Sequence, residues 1–140
     1  MIQLHSSRIL AANARLVEDG DLDSVGEFFA TDYAVHLTGQ DLAGGHKTVV
    51  GAIRQLRQSF PDLRVAVEIL VEGRDRVAWM RTLRGTHQAA FKGFPGSGRP
   101  VVWRDMVTSR FSDGLIAEEW VVTDLAEGLL LSRKGPPSRG

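Results

Sequence analysis

The chain has no cysteine. That excludes disulfides and thiolate-ligated metals and removes any sign of oxidative secretion. It also lacks an excess of either charge: 17 Lys and Arg balance 17 Asp and Glu, scattered apart from a short basic C-terminal end. General affinity for nucleic acid or an anionic membrane is therefore not expected. Residues 1–16 carry polar side chains at helical spacing and no unbroken apolar stretch, so neither a signal peptide nor a membrane span is read there. The four histidines are widely spread, with no His-x-x-x-His pair, and no metal site is expected. The Gly93–Arg99 segment sits between strands rather than between strand and helix, so it is not a phosphate loop. No serine lies in a nucleophile elbow, and no cofactor is implied. What is left is a cytoplasmic protein whose 140 residues, 43% of them hydrophobic, suit one domain with a substantial core.

The first half of the chain has helical periodicity. Ile2, Ile9, Leu10, Ala14, Leu16 and Val17 recur at helical spacing until Glu18-Asp19-Gly20 ends the helix. Asp21 or Asp23 can cap a second, short helix through Val25, Phe28 and Phe29. A short strand follows over Tyr33 to Leu37. Gly44-Gly45 opens a loop before a third helix, with Val49, Val50, Ile53, Leu56 and Phe60 on one side and Pro61-Asp62 as its stop. After that the chain reads as all strand: 65–71, 77–84, the segment after Pro100, and 115–124. Helices first and then an antiparallel meander predict an α+β fold with helices covering one face of a curved sheet. The expected domain spans 1–131, with 132–140 as a frayed tail.

Asp105 is the informative residue. Every second position from Val101 gives Val101, Trp103, Asp105, Val107, Ser109 and Phe111, while Val102, Arg104, Met106, Thr108 and Arg110 lie between. Period-two alternation turns the Asp105 face inward. A carboxylate among Trp, Val and Phe must be paired, protonated or put to use, which makes Asp105 the first candidate for acid–base chemistry. A three-residue Ser112-Asp113-Gly114 loop would pair Phe111 with Leu115, Val107 with Glu119 and Asp105 with Val121. Glu119 would then lie one diagonal step from Asp105 in one apolar concavity, each acid raising the other's pKa. A two-residue Asp-Gly turn would instead bring Glu118, Trp120 and Asp124 to that face. Arg81 shares a face with Val77, Trp79 and Leu83; it either pairs with a buried carboxylate or snorkels. Tyr33 and His36, three residues apart on a strand, face opposite ways, so one of the two lines the pocket mouth. His87 is read as a hydrogen-bonding loop residue.

Phe60-Pro61-Asp62-Leu63, Gly85-Thr86-His87, Phe91-Lys92-Gly93-Phe94-Pro95 with Gly98-Arg99, Phe111-Ser112-Asp113-Gly114 and Ile116-Ala117-Glu118-Glu119-Trp120 occur in the order seen in SnoaL-like polyketide cyclases, which the chain resembles over roughly residues 5 to 131. The resemblance implies a nuclear transport factor two-like fold: a cone of curved antiparallel sheet closed by three helices from the N-terminal half, usually dimeric. It also implies cofactor-free aldol condensation in a pocket inside the cone. The cyclases' acid–base Asp falls at Val121 here, and Asp105 and Val107 occupy positions that present polar side chains to the pocket in the family. The expectation is a cofactor-independent enzyme acting on a small apolar carbonyl or polyketide-type compound by cyclisation, isomerisation or dehydration. Asp105 and Glu119 would be catalytic, with Trp103, Val107, Val121, Trp79, Tyr33, His36 and Arg81 around the substrate. Alternatives are a non-catalytic small-molecule-binding or dimeric scaffold protein of this fold, and an epoxide hydrolase with a relocated acid. A homodimer is the expected assembly.

Overall fold

A computed structural model describes residues 4–133 of the chain. Helix α1, Leu4–Ala12, continues into a π-helical segment, Asn13–Glu18, and a 3₁₀ turn follows over Leu22–Glu27. Strand β1, Phe29–Leu37, pairs with a short β2, Gln40–Leu42, which the sequence did not announce. Helix α2, His46–Ser59, leads into β3 (Arg64–Glu72), β4 (Arg76–Thr86), β5 (Pro100–Ser112) and β6 (Leu115–Thr123). A further helix, α3, covers Leu125–Arg133.

One curved six-stranded sheet, in the order β2-β1-β6-β5-β4-β3, forms the body of the α+β fold. The β3–β6 meander is antiparallel throughout, and β1 joins β6 in parallel. Alternation along β5 decides which face the helices cover. Val101, Trp103, Asp105, Val107, Ser109 and Phe111 are buried, whereas Val102, Arg104 and Met106 point to solvent. Against that inner face pack Ile9, Leu16 and Val17 from the first helix, and Val49, Ile53 and Phe60 from α2 and its end. Burying side chains of this size stabilises by roughly 1.5–3 kcal/mol each.

Helix α3 corrects the expectation of strand alone after Pro61. Leu125 and Leu129, one turn apart, are its buried residues. A Cβ on Gly128 would meet the Val102 carbonyl oxygen at 2.9 Å, so glycine, normally a weak helix former, is what lets α3 lie on β5. Arg99 donates to the Ser132 carbonyl at 3.0 Å. The expected tail therefore begins inside a helix at Ser132 and Arg133, and its remainder lies outside the described residues, as does Ile2 at the other end.

His87 departs from its reading as a loop hydrogen-bonder. Its backbone does bond, donating to Arg99 O at 3.0 Å and accepting from Gly98 N at 2.9 Å. Its ring, however, is fully buried and stacked on Phe60 at 5.2 Å, and neither ring nitrogen finds a partner among the described residues. Burial, reinforced by the nearby Arg133 cation, pushes its pKa below the ordinary histidine value. The folded state thus binds fewer protons than the unfolded one. The stability tied to a neutral His87 is complete above about pH 6.5 and is lost as pH falls from there through the lower folded value. Urea midpoints compared at neutral and mildly acidic pH should show this loss in the wild type and a smaller one in His87→Phe. An identical acid loss in the variant would contradict the assignment.

Candidate active site

A cavity of about 450 Å³ lies between the inner face of the sheet and the two long helical segments. Its walls are mainly apolar, with Leu16, Val49, Ile53, Trp103, Val107 and Val121 among them. Two polar clusters interrupt this lining.

The first is built across β4 and β5. Arg81 and Asp105 are direct partners in the ladder, so both side chains project to the same face. Arg81 Nε donates to Asp105 Oδ2 at 2.9 Å, and the two side chains are only 19% and 7% exposed. Arg81 Nη1 donates to Asn13 Oδ1 at 2.9 Å, and Asn13 Nδ2 donates to the Ile9 carbonyl at 2.9 Å. The guanidinium also lies over the Trp79 ring, 5.5 Å from its centre, a cation–π arrangement. Asp105 is therefore paired, and Arg81 does not snorkel. The other carboxylate oxygen, Oδ1, is buried without a partner among the described residues.

Asn13 sits where the α-helix gives way to π geometry, a local change often found at functional sites. Sequence reasoning passed over it, although a polar residue four after Ile9 and three before Leu16 on the helix's apolar stripe was the available signal.

The second cluster surrounds Glu119. Tyr33 Oη donates to Glu119 Oε1 at 2.6 Å, and Ser109 Oγ donates to Oε2 at 2.5 Å. Ser109 in turn accepts from Trp79 Nε1 at 2.9 Å. Burial pushes the Glu119 pKa upward, the Ser109 and Tyr33 hydrogen bonds and the Arg81 cation oppose it, and the Asp105 charge adds the smallest contribution, upward. Tyr33 is driven well above the usual phenol range, first by burial and then by the charge and hydrogen bond of Glu119. Ser109, another residue missed as a site member, is what ties the Trp79 indole to this carboxylate.

The β5–β6 register differs from the expected one. Asp113 and Gly114, with φ of 51° and 78°, form a two-residue turn that pairs Ser112 with Leu115. Left alone, that turn would bring Glu118 and Trp120 inside. The register then shifts between Arg110 and Phe111: Phe111 pairs with Ile116 and Arg110 with Glu118, leaving Ala117 as the extra residue of a bulge. Glu119 is returned to the inner face, opposite Ser109, while Val107 faces Val121 and Asp105 faces Thr123. Asp105 and Glu119 are accordingly not diagonal neighbours. Their positions on the ladder are four residues apart, about 13 Å along a strand, and each acid has its own set of partners.

His36 is not a lining residue. Its side chain is on the outer face, with Nδ1 2.9 Å from Asp41, Nε2 2.6 Å from Glu118 and the ring stacked on Trp120 at 5.2 Å. Those two carboxylates, Glu118 first, raise its pKa. Tyr33 is the member of the pair that reaches the cavity, together with Trp79, Trp103, Val107, Val121 and Arg81. Among the described residues no three His, Asp or Glu side chains cluster so as to hold a metal ion, and no helix is long and apolar enough to cross a membrane.

The profile of the SnoaL-like polyketide cyclases matches residues 7–130. Among solved structures, the chain is similar to wild-type IdmH of Streptomyces antibioticus, described as a candidate polyketide cyclase. The two share 30% identity over 93% of this chain and 98% of that one, with a TM-score of 0.76. AclR of Streptomyces galilaeus, described as a candidate hydroxylase, is 27% identical over 94% and 97% of the two chains, with a TM-score of 0.79. A candidate SnoaL-like cyclase from Jannaschia sp. is 27% identical over 96% and 94%, with a TM-score of 0.77. No curated protein sequence matches. With the profile covering most of the chain and the sheet, helices and inner cavity arranged as described, the protein belongs to the SnoaL-like polyketide cyclase family.

Proposed function

We propose that the protein is a cofactor-independent enzyme that moves protons at carbon next to a carbonyl in a small, largely apolar compound. The observation that carries this reading is an open apolar cavity in which Asp105 is held by Arg81 through one oxygen while the other has no partner. The Asp105 carboxylate takes the proton from the α-carbon, and the C–H electron pair passes into an enolate. That enolate either bonds to a second carbonyl carbon, whose oxygen then takes a proton, or regains a proton at a different carbon. The Asp105 carboxyl formed in that step returns its proton to the charged oxygen or to the new carbon, while Tyr33, whose hydroxyl proton is committed to Glu119, contributes a wall of the cavity. Trp79, Trp103 and Val107 exclude water and hold the substrate.

A second reading, a non-catalytic binding protein, draws on the Arg81–Asp105 pair itself and on Val121, an apolar residue where the family's acid is expected. Solvent deuterium exchange separates the two without knowledge of the natural substrate. The wild type should speed α-proton exchange in a panel of aryl methyl ketones followed by NMR. Asp105→Asn, which keeps an acceptor for Arg81, should lose about 100- to 10,000-fold of that rate while still folding. Exchange no faster than buffer, with ketones nevertheless raising the melting temperature, would leave the binding protein.

We also propose a homodimer through the outer face of the sheet. Met80, Met106 and Val122 are consecutive partners across β4, β5 and β6, and Val102, Met106 and Val122 are 52%, 47% and 64% exposed. Such a run of exposed apolar side chains fits association. Sedimentation should show a dimer that Met106→Lys dissociates; a monomeric wild type would end this proposal.

A further inference from the structure

Among the described residues four charged ones line the cavity: Arg81, Asp105, Glu119 and Lys92. The first three are mutually or locally compensated. Arg81 and Asp105 pair with each other, and Glu119 is held by two hydroxyls. Lys92 differs. Among the described residues no carboxylate lies within salt-bridge distance of it, and its ammonium lies over the Phe91 ring, 5.8 Å from the centre. Phe91 is itself buried and also lines the cavity. Lys92 is exposed, so this cation stands at the rim.

The chain holds Lys92 there at some conformational cost. Phe91 and Phe94 exchange both backbone hydrogen bonds at 2.9 Å across the two-residue turn Lys92-Gly93, whose φ angles are 48° and 86°. Turns of this kind favour Asn or Asp at the first position. The other non-glycine residue at positive φ, Asp113, meets that preference, whereas lysine does not, and strain of this sort tends to collect at functional sites. The base of the turn is pinned: Gln88 N donates to Ser59 O at 2.8 Å, and Ser59 Oγ donates to Ala90 O at 3.1 Å.

We propose that Lys92 reads a carboxylate on the substrate, so that the enzyme takes an apolar carbonyl compound carrying one acid group at the end remote from the reacting carbon. A deep carboxylate would face Asp105 and Glu119; Lys92 is the exposed charged residue among the described residues that line the cavity, and neutral Gln40, Gln55 and Thr48 are among its other polar lining. The acid end therefore stays outward and the carbonyl end enters. This deepens the proposed acid–base function and rests on it for the reacting end alone.

Calorimetric titration with 2-naphthylacetate and the near-isosteric, neutral 2-naphthylacetamide tests the recognition without any turnover. The wild type should bind the acid about three- to fivefold more tightly, the range of a partly exposed ion pair. In about 1 M salt, where the Debye length is ~3 Å, the preference should disappear. Lys92→Asn, which suits the turn, should bind both probes equally, and Lys92→Glu should prefer the amide. Asp105→Asn should keep the acid preference, so that loss of ketone exchange and loss of acid recognition are read separately. A preference that survives Lys92→Asn would overturn the assignment, as would a wild type that binds the amide as well as the acid. Failure of both probes to bind would remove the apolar-ligand reading of the cavity along with it.

Discussion

The Arg81–Asp105 pair spans neighbouring strands on the one face of the sheet that the helices cover, and the surrounding architecture answers to it. Two charges withdrawn from water there are costly unless each is compensated and hydrogen-bonded. The compensation reaches beyond the pair itself: Trp79 offers the guanidinium its ring, and the π-helical segment supplies the amide of Asn13, which is itself anchored on Ile9. The first helix, β4 and β5 are thus joined through polar contacts within an otherwise apolar interior. A pair of apolar residues could occupy the same face without these polar contacts. The ion pair's place beside an open cavity, with one carboxylate oxygen unpartnered among the described residues, is what favours a chemical over a structural role.

Glu119 shows a different solution to the same problem. Among the described residues no cation touches it directly; two hydroxyls satisfy its oxygens, and burial raises its pKa. The cavity therefore holds one acid matched to a cation and another held by two hydroxyls. Family membership supplies the fold and the kind of cavity, but function is a property of the side chains in it. Val121 in place of the expected acid means those side chains must be read directly.

Much of this was legible because alternation is a strong signal in long strands. The β5 pattern alone placed Asp105, Trp103 and Val107 inward, and the apolar stripe of α2 and the stop at Pro61 were equally plain. The β5–β6 register was not legible. A one-residue bulge at Ala117 has no composition signature, yet it exchanges the faces of everything after it, so Glu119 came to face inward by a turn and a bulge rather than by a three-residue loop. Helix α3 was hidden by Gly128, whose purpose is close contact with β5 and not helix formation. Asn13 and Ser109 are ordinary residues until their partners, 68 and 10 positions away, are known. His36 was a candidate only because the parity of its strand was undecided.

The central claim is that Arg81 and Asp105 are kept for chemistry rather than for stability. Equilibrium unfolding of the double variant Arg81→Met with Asp105→Leu tests it most directly. Apolar replacement of a buried ion pair is often neutral or stabilising by about 1–4 kcal/mol. The double variant should be at least as stable as the wild type. A double variant destabilised by several kcal/mol would show instead that the pair is kept to hold the fold together.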